Sequence, residues 1–96
     1  MSIRVTLNCS LKAEKTTALL SFLKENLPNV RSFDGCLYVD VLFDIDQKEM
    51  LLEEQWESIQ YHQHYIEFIS KNGVLSELSD FFKAPPQIKY FEKSDL

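Results

Sequence analysis

Ninety-six residues suit one domain, and dividing them would leave two halves too small to bury a core. Hydrophobic residues make up 45% and charged residues 26%, with two Gly and three Pro, so the chain is neither disordered nor linker-rich. Fifteen acidic against ten basic residues give a net charge of −5 with no basic run, which argues against a nucleic-acid partner.

Apolar stretches are only a few residues long, so no membrane partner is expected. The first residues alternate like a strand and lack the apolar core of a secretion signal. Cys9 and Cys36 have no C-x-x-C spacing and read as two reduced thiols. A soluble, cytoplasmic, single-domain protein over residues 1–96 is predicted. At this size roughly 60–65% of the unfolded surface is buried on folding, and with no disulfide framework self-association is expected.

In chain order, Ile3, Val5, Leu7 and Cys9 alternate with polar residues, the pattern of a half-buried strand. From Ala13 the period becomes helical, with Ala18, Leu19, Phe22, Leu23 and Leu27 on one stripe, and the helix is expected to end before Pro28. Phe33-Asp34-Gly35 signals a turn, and Leu37 to Phe43 reads as a second strand. Asp44 to Lys48 is a polar hairpin connection, followed by a third strand from Met50 to Trp56. The Glu57-Ser58 pair offers an N-cap candidate for a helix whose stripe is Ile59, His62, Ile66 and Ile69, widened by Tyr65 and Phe68, ending at Gly73. A short second helical piece carrying Leu75, Leu78, Phe81 and Phe82 is stopped by Pro85-Pro86, and Gln87 to Glu92 is a last strand.

The order β-α-β-β-α-(α)-β with right-handed crossovers gives an α+β, ferredoxin-like split β-α-β sandwich. Helices cover one sheet face. The other carries Tyr38, Asp40 and Leu42 from the second strand, a semi-apolar surface that predicts a homodimer.

Among chemistry-bearing residues, His62 and His64 are two apart, about 200° around a helix, and cannot grip one ion, so no metal site is predicted. His62 falls on the apolar stripe and His64 off it. Glu54 and Trp56 share one face of the third strand, where a carboxylate beside an indole suits a cavity with a few polar groups. Asn8 and Asp40 are strand residues that could reach the same space, or simply lie on solvated faces. Tyr61, Tyr65 and Tyr90 are phenols near an apolar interior, where an aromatic body with a wet tip is the ordinary role. No G-x-S-x-G, P-loop or G-x-G-x-x-G occurs.

Glu54-x-Trp56-Glu57-Ser58, then His62, Tyr65, Gly73-x-Leu75, Leu78, Pro85-Pro86 and Tyr90-Phe91 together resemble the antibiotic biosynthesis monooxygenase superfamily, as does the Arg31 to Cys36 segment with its Gly before strand two. That resemblance implies a dimeric α+β barrel with one pocket per subunit between sheet and helices. It also implies oxidation of a small aromatic, quinol- or anthrone-like molecule by O2, with no cofactor. Trp56 matches the family's pocket tryptophan, and His62 lies where members carry a helical His or Tyr. On this reading His62 is the base or relay, Trp56 and Asn8 share the catalytic site, and Tyr65, Glu54, Tyr38 and Tyr90 bind substrate. Many members carry an Arg or Trp-Arg pair midway along the second helix, whereas this chain reads Tyr65-Ile66-Glu67-Phe68-Ile69-Ser70 there, which implies a different ligand or none. Two alternatives stand beside it: a non-enzymatic dimer that binds a small molecule or acts in stress response, and a haem-binding or haem-degrading enzyme using Asn8, Trp56 and His62 or His64.

Overall fold

Period-2 alternation puts Ile3, Val5, Leu7 and Cys9 inward from β1 (Ile3–Ser10), and every later element packs against that row. The computed structural model describes residues 2–96. After β1 come a 3-10 turn (Ala13–Lys15), α1 (Thr16–Arg31), β2 (Cys36–Phe43), β3 (Glu49–Trp56), α2 (Ile59–Asn72), α3 (Val74–Ser79) and β4 (Gln87–Phe91). The four strands form one antiparallel sheet in the order β2-β3-β1-β4, the split β-α-β arrangement expected from the element order.

α1 lays Leu19, Leu23 and Val30 on the sheet, with Phe22 and Leu27 partly buried beside them. The expected stop before Pro28 is corrected: Pro28 lies inside the helix, which continues to Arg31. Proline removes one helical hydrogen bond and clashes with the preceding turn, but one local and two tertiary contacts hold the last turn here. Ser32 Oγ donates to the Pro28 carbonyl at 2.9 Å, the Arg31 guanidinium donates to the Val39 carbonyl at 2.9 Å, and Val30 is buried in the core.

The Ser58 hydroxyl accepts the Tyr61 N–H at 3.3 Å, the cap that starts α2. Gly73 ends it with φ +90°, a left-handed turn that tips the chain directly into α3. Gly35 also has positive φ (+86°), and a side chain there would overlap the ring of Tyr61. This close approach, with Glu57 N–H donating to the Gly35 carbonyl at 2.8 Å, joins the start of β2 to the start of α2.

In β2 the register shifts between Cys36 and Tyr38, a bulge that turns Cys36 toward the core while leaving Leu37 half exposed. The opposite face of the sheet carries Arg4, Tyr38 and Glu53. The Tyr38 hydroxyl lies 2.7 and 2.8 Å from the two Glu53 carboxylate oxygens, and Arg4 sits over its ring. No helix is long and apolar enough to cross a membrane.

Candidate active site between sheet and helices

Register decides which side chains meet. Val39, Glu54, Val5 and Tyr90 stand in one row across the four strands, all on the helix side. One step along β3, Trp56 faces the same way and is fully buried. α2 begins three residues after Trp56, so its first turn returns His62 over Glu54 and Tyr90.

Trp56 Nε1 donates to Glu54 Oε1 at 2.7 Å, and His62 Nε2 faces the same oxygen at 3.9 Å, beyond hydrogen-bond length. His62 Nδ1 lies 2.8 Å from the Tyr90 hydroxyl. The His62 ring meets Trp56 and Tyr90 edge-on, at centroid distances of 5.3 and 5.5 Å. Tyr65, one turn further along α2, sits 5.4 Å from Trp56 and 5.1 Å from Phe33. His62 is 1% exposed and Tyr90 is 38% exposed, so the chain of contacts runs from the interior to water.

Burial sets the electrostatics. Desolvation pushes the Glu54 carboxyl up to about 7, against the lowering effect of the Trp56 N–H bond. Desolvation pushes His62 down to about 4, so its imidazole is neutral at pH 7. When Glu54 is ionised, a His62 Nε2–H faces the carboxylate and Nδ1 accepts from Tyr90; when Glu54 is protonated, the opposite tautomer can donate to Tyr90. Burial and the nearby Glu54 charge also push the Tyr65 phenol well above its ordinary range.

Glu54, His62 and Tyr65 border a cavity of about 50 Å³ whose other walls are mainly apolar side chains of α1, α2, α3 and the sheet, Phe22, Leu23, Leu52 and Leu78 among them. Glu54, His62, Tyr65 and Asn26 are its polar groups. A mostly apolar cavity with one carboxyl near neutrality and one neutral imidazole can take a proton from a bound acid and hold it beside an apolar reaction space.

The sequence-predicted residues divide between the two sheet faces. Glu54, Trp56, His62, Tyr65 and Tyr90 come together. Asn8 and Tyr38 do not: their strand parity places them on the face away from the helices, Asn8 over a shallow recess with Leu42 and Asp44. Asp40 shares that outer face, and His64 is exposed on the outside of α2. Asn26 was missed, although its signal is present: it is the one polar residue on the α1 stripe 19, 22, 23, 26, 27, 30. Its Nδ2 donates to the Phe22 carbonyl at 2.9 Å. Among the described residues, no group of three His, Cys, Asp or Glu side chains could hold a metal ion.

The sequence model of the antibiotic biosynthesis monooxygenase family matches residues 2–66. No functionally curated protein matches the chain. Among solved structures, a conserved protein of Methanosarcina mazei superposes with a TM-score of 0.87 at 18% identity, covering 98% of this chain and 94% of that one. Rv0793 of Mycobacterium tuberculosis gives 0.85 at 17% identity, covering 100% and 98%. A Streptomyces coelicolor monooxygenase from the gene ActVA-Orf6, solved with nanaomycin D, gives 0.78 at 15% identity, covering 99% and 90%. At these identities the structural likeness establishes the shared ferredoxin-like fold.

Proposed function

Because the chain belongs to the antibiotic biosynthesis monooxygenase family, we propose that it oxidises a small aromatic, quinol- or anthrone-like substrate with O2 and without a cofactor. The observation that carries this reading is the buried Glu54 carboxyl, held by Trp56 and faced by His62 and Tyr90 at the wall of an apolar cavity. The Streptomyces coelicolor monooxygenase of the same fold holds a small-molecule ligand, nanaomycin D, which supports a small-molecule substrate here.

In the proposed reaction, Glu54 as carboxylate takes a proton from the acidic C–H or O–H of the bound ring. The resulting carbanion or dienolate reduces O2 and combines with it, forming a C–O bond and a peroxide anion. The peroxide recovers the proton from Glu54. Loss of the remaining C–H proton and cleavage of O–O then leave one oxygen as a carbonyl and release the other as water. The base poised near neutrality is Glu54. His62, as a neutral imidazole, relays and orients, since its low basicity makes it a poor resting proton store. Tyr65 lines the same cavity and supplies an orienting phenol. The half-exposed sheet face bearing Tyr38, Asn8 and Leu42 is assigned to a homodimer contact.

Haem does not suit this cavity. His62 Nδ1 is engaged by Tyr90, Nε2 faces Glu54, the space beside them is about 50 Å³, and His64 points away. The test is oxygen uptake by the purified protein with reduced quinones and anthrones, comparing wild type, Trp56→Phe, His62→Ala and Glu54→Gln. Saturable uptake above autoxidation, lowered at least 100-fold by Glu54→Gln, is expected of a general base. No uptake across the panel sinks the enzymatic reading in favour of a binding protein.

A further inference from the structure

The cavity beside Glu54, about 50 Å³, is a third of the roughly 150 Å³ that accommodates benzene, so it cannot hold a substrate alone. A second cleft of about 350 Å³ opens to solvent between the C-terminal halves of α1 and α2. Asn26, Tyr65, Ile69 and Val74 line both, so a single layer of side chains separates the two. The outer cleft by itself falls within the range of about 300–1,000 Å³ typical of small-molecule sites.

The outer cleft has a distinctive chemistry. Phe33 and Phe68 form its aromatic floor, with ring centroids 5.5 Å apart, and Phe68 is a large apolar side chain left 54% exposed. Around them stand the side-chain amides of Asn26, Asn29 and Asn72. Asn26 spends its N–H on the Phe22 carbonyl, leaving its own oxygen free, while Asn72 accepts the Val74 N–H at 3.0 Å and keeps its amide donors. The cleft is lined by no Lys, Arg, Asp or Glu. A neutral group that both donates and accepts finds partners there, whereas a carboxylate or ammonium finds no counter-charge.

Resting on the monooxygenase reading for the chemistry, we propose that the substrate site has two chambers: the reacting edge of the ring enters the Glu54 cavity past Tyr65, while the rest of the ring and a neutral hydrogen-bonding substituent lie in the Asn29–Phe68 cleft. The ligand class is therefore an aromatic ring bearing a hydroxylated or carbonyl-containing, uncharged side group. The outer chamber selects that group, and the inner one performs the chemistry.

Trp56, the single tryptophan, contacts Glu54 and Tyr65 of the inner cavity wall and reports binding by fluorescence quenching without requiring turnover. Three probes share a 1,4-benzoquinone ring and differ in one substituent: methyl, hydroxypropyl or carboxypropyl. Wild type is expected to bind the hydroxypropyl probe about tenfold more tightly than either other, the effect of one or two neutral hydrogen bonds. Asn29→Leu and Phe68→Ala, both at exposed positions outside the core, should reduce that preference to twofold or less. Equal binding of the three probes, tightest binding of the carboxylate, or an undiminished preference in both variants overturns the proposal. Oxygen uptake with the reduced hydroxypropyl probe is read in parallel. Selective binding without uptake refutes the oxidation reading alone; uptake with no selectivity refutes the outer chamber alone.

Discussion

Glu54→Gln should make the protein more stable relative to wild type as pH rises. Gln keeps an oxygen to accept the Trp56 N–H bond of 2.7 Å and a similar volume, but cannot ionise. In wild type the folded carboxyl titrates near 7 and the unfolded one near 4.5, so the stabilisation of the fold by the proton is complete below 4.5 and lost as pH rises through 7. At about 1.4 kcal/mol per pH unit, ionising Glu54 in place costs the fold about 3 kcal/mol. Between pH 5 and pH 8 the variant should therefore gain about 2–3 kcal/mol on wild type. His62 has the opposite sign: its folded value near 4 lies below the unfolded 6.5, so its contribution is present above 6.5 and lost as pH falls through 4. From 4.5 to 6.5, unfolding moves a proton from Glu54 to His62 with no net uptake, and these two groups leave wild-type stability flat. In the variant only the histidine slope remains, and stability should rise with pH across that window. Urea unfolding followed by Trp56 emission at fixed protein concentration measures both curves. A difference between variant and wild type that is the same at pH 5 and pH 8, within about 0.5 kcal/mol, would refute a carboxyl raised by burial.

Three further outcomes are expected. Tyr90→Phe removes the 2.8 Å partner of His62 Nδ1 at a half-wet edge, and should lower stability by about 1 kcal/mol in thermal melts while reducing oxygen uptake several-fold. Gly35→Ala places a side chain against the Tyr61 ring at φ +86° and should cost at least 2 kcal/mol in denaturant titration, with Tyr61→Ala recovering only the steric part. Burial pushes the Cys9 thiol up to about 12 and the Cys36 thiol up to about 11, so a thiol reagent at pH 8 should modify Cys36 slowly and Cys9 only on unfolding.

Much of the fold is legible from period alone. The alternation in β1, the stripe of α2 and the Ser58 and Gly73 signals each placed an element, because each is a local consequence of backbone geometry. Pro28 misled for an equally physical reason: proline opposes a helix locally, but burial of Val30 and the Arg31 bond to Val39 are tertiary and invisible in the sequence. In the site, period-2 spacing correctly joined Glu54 to Trp56. Strand parity also held the correction for Asn8, which is out of phase with the inward Val5 and Leu7. The His62–Tyr90 contact spans 28 residues and depends on the β1–β4 register, which no local signal fixes.

The strand order has a kinetic consequence. β1 leads the described chain but lies at the sheet's interior, paired on one side with β3 and on the other with β4, whose partners Gln87 to Phe91 lie near the far end of the described residues. Most sheet pairings are therefore long-range, a topology that closes slowly because chain entropy is lost before contacts compensate it. During synthesis β1, α1 and β2 emerge without a shared partner until β3 follows. β4 zips last onto an edge that is open until then, bringing Tyr90 to His62 as its final act. The chain of contacts from His62 through Tyr90 to water thus depends on the strand that pairs last, and is lost first when the β4 edge frays.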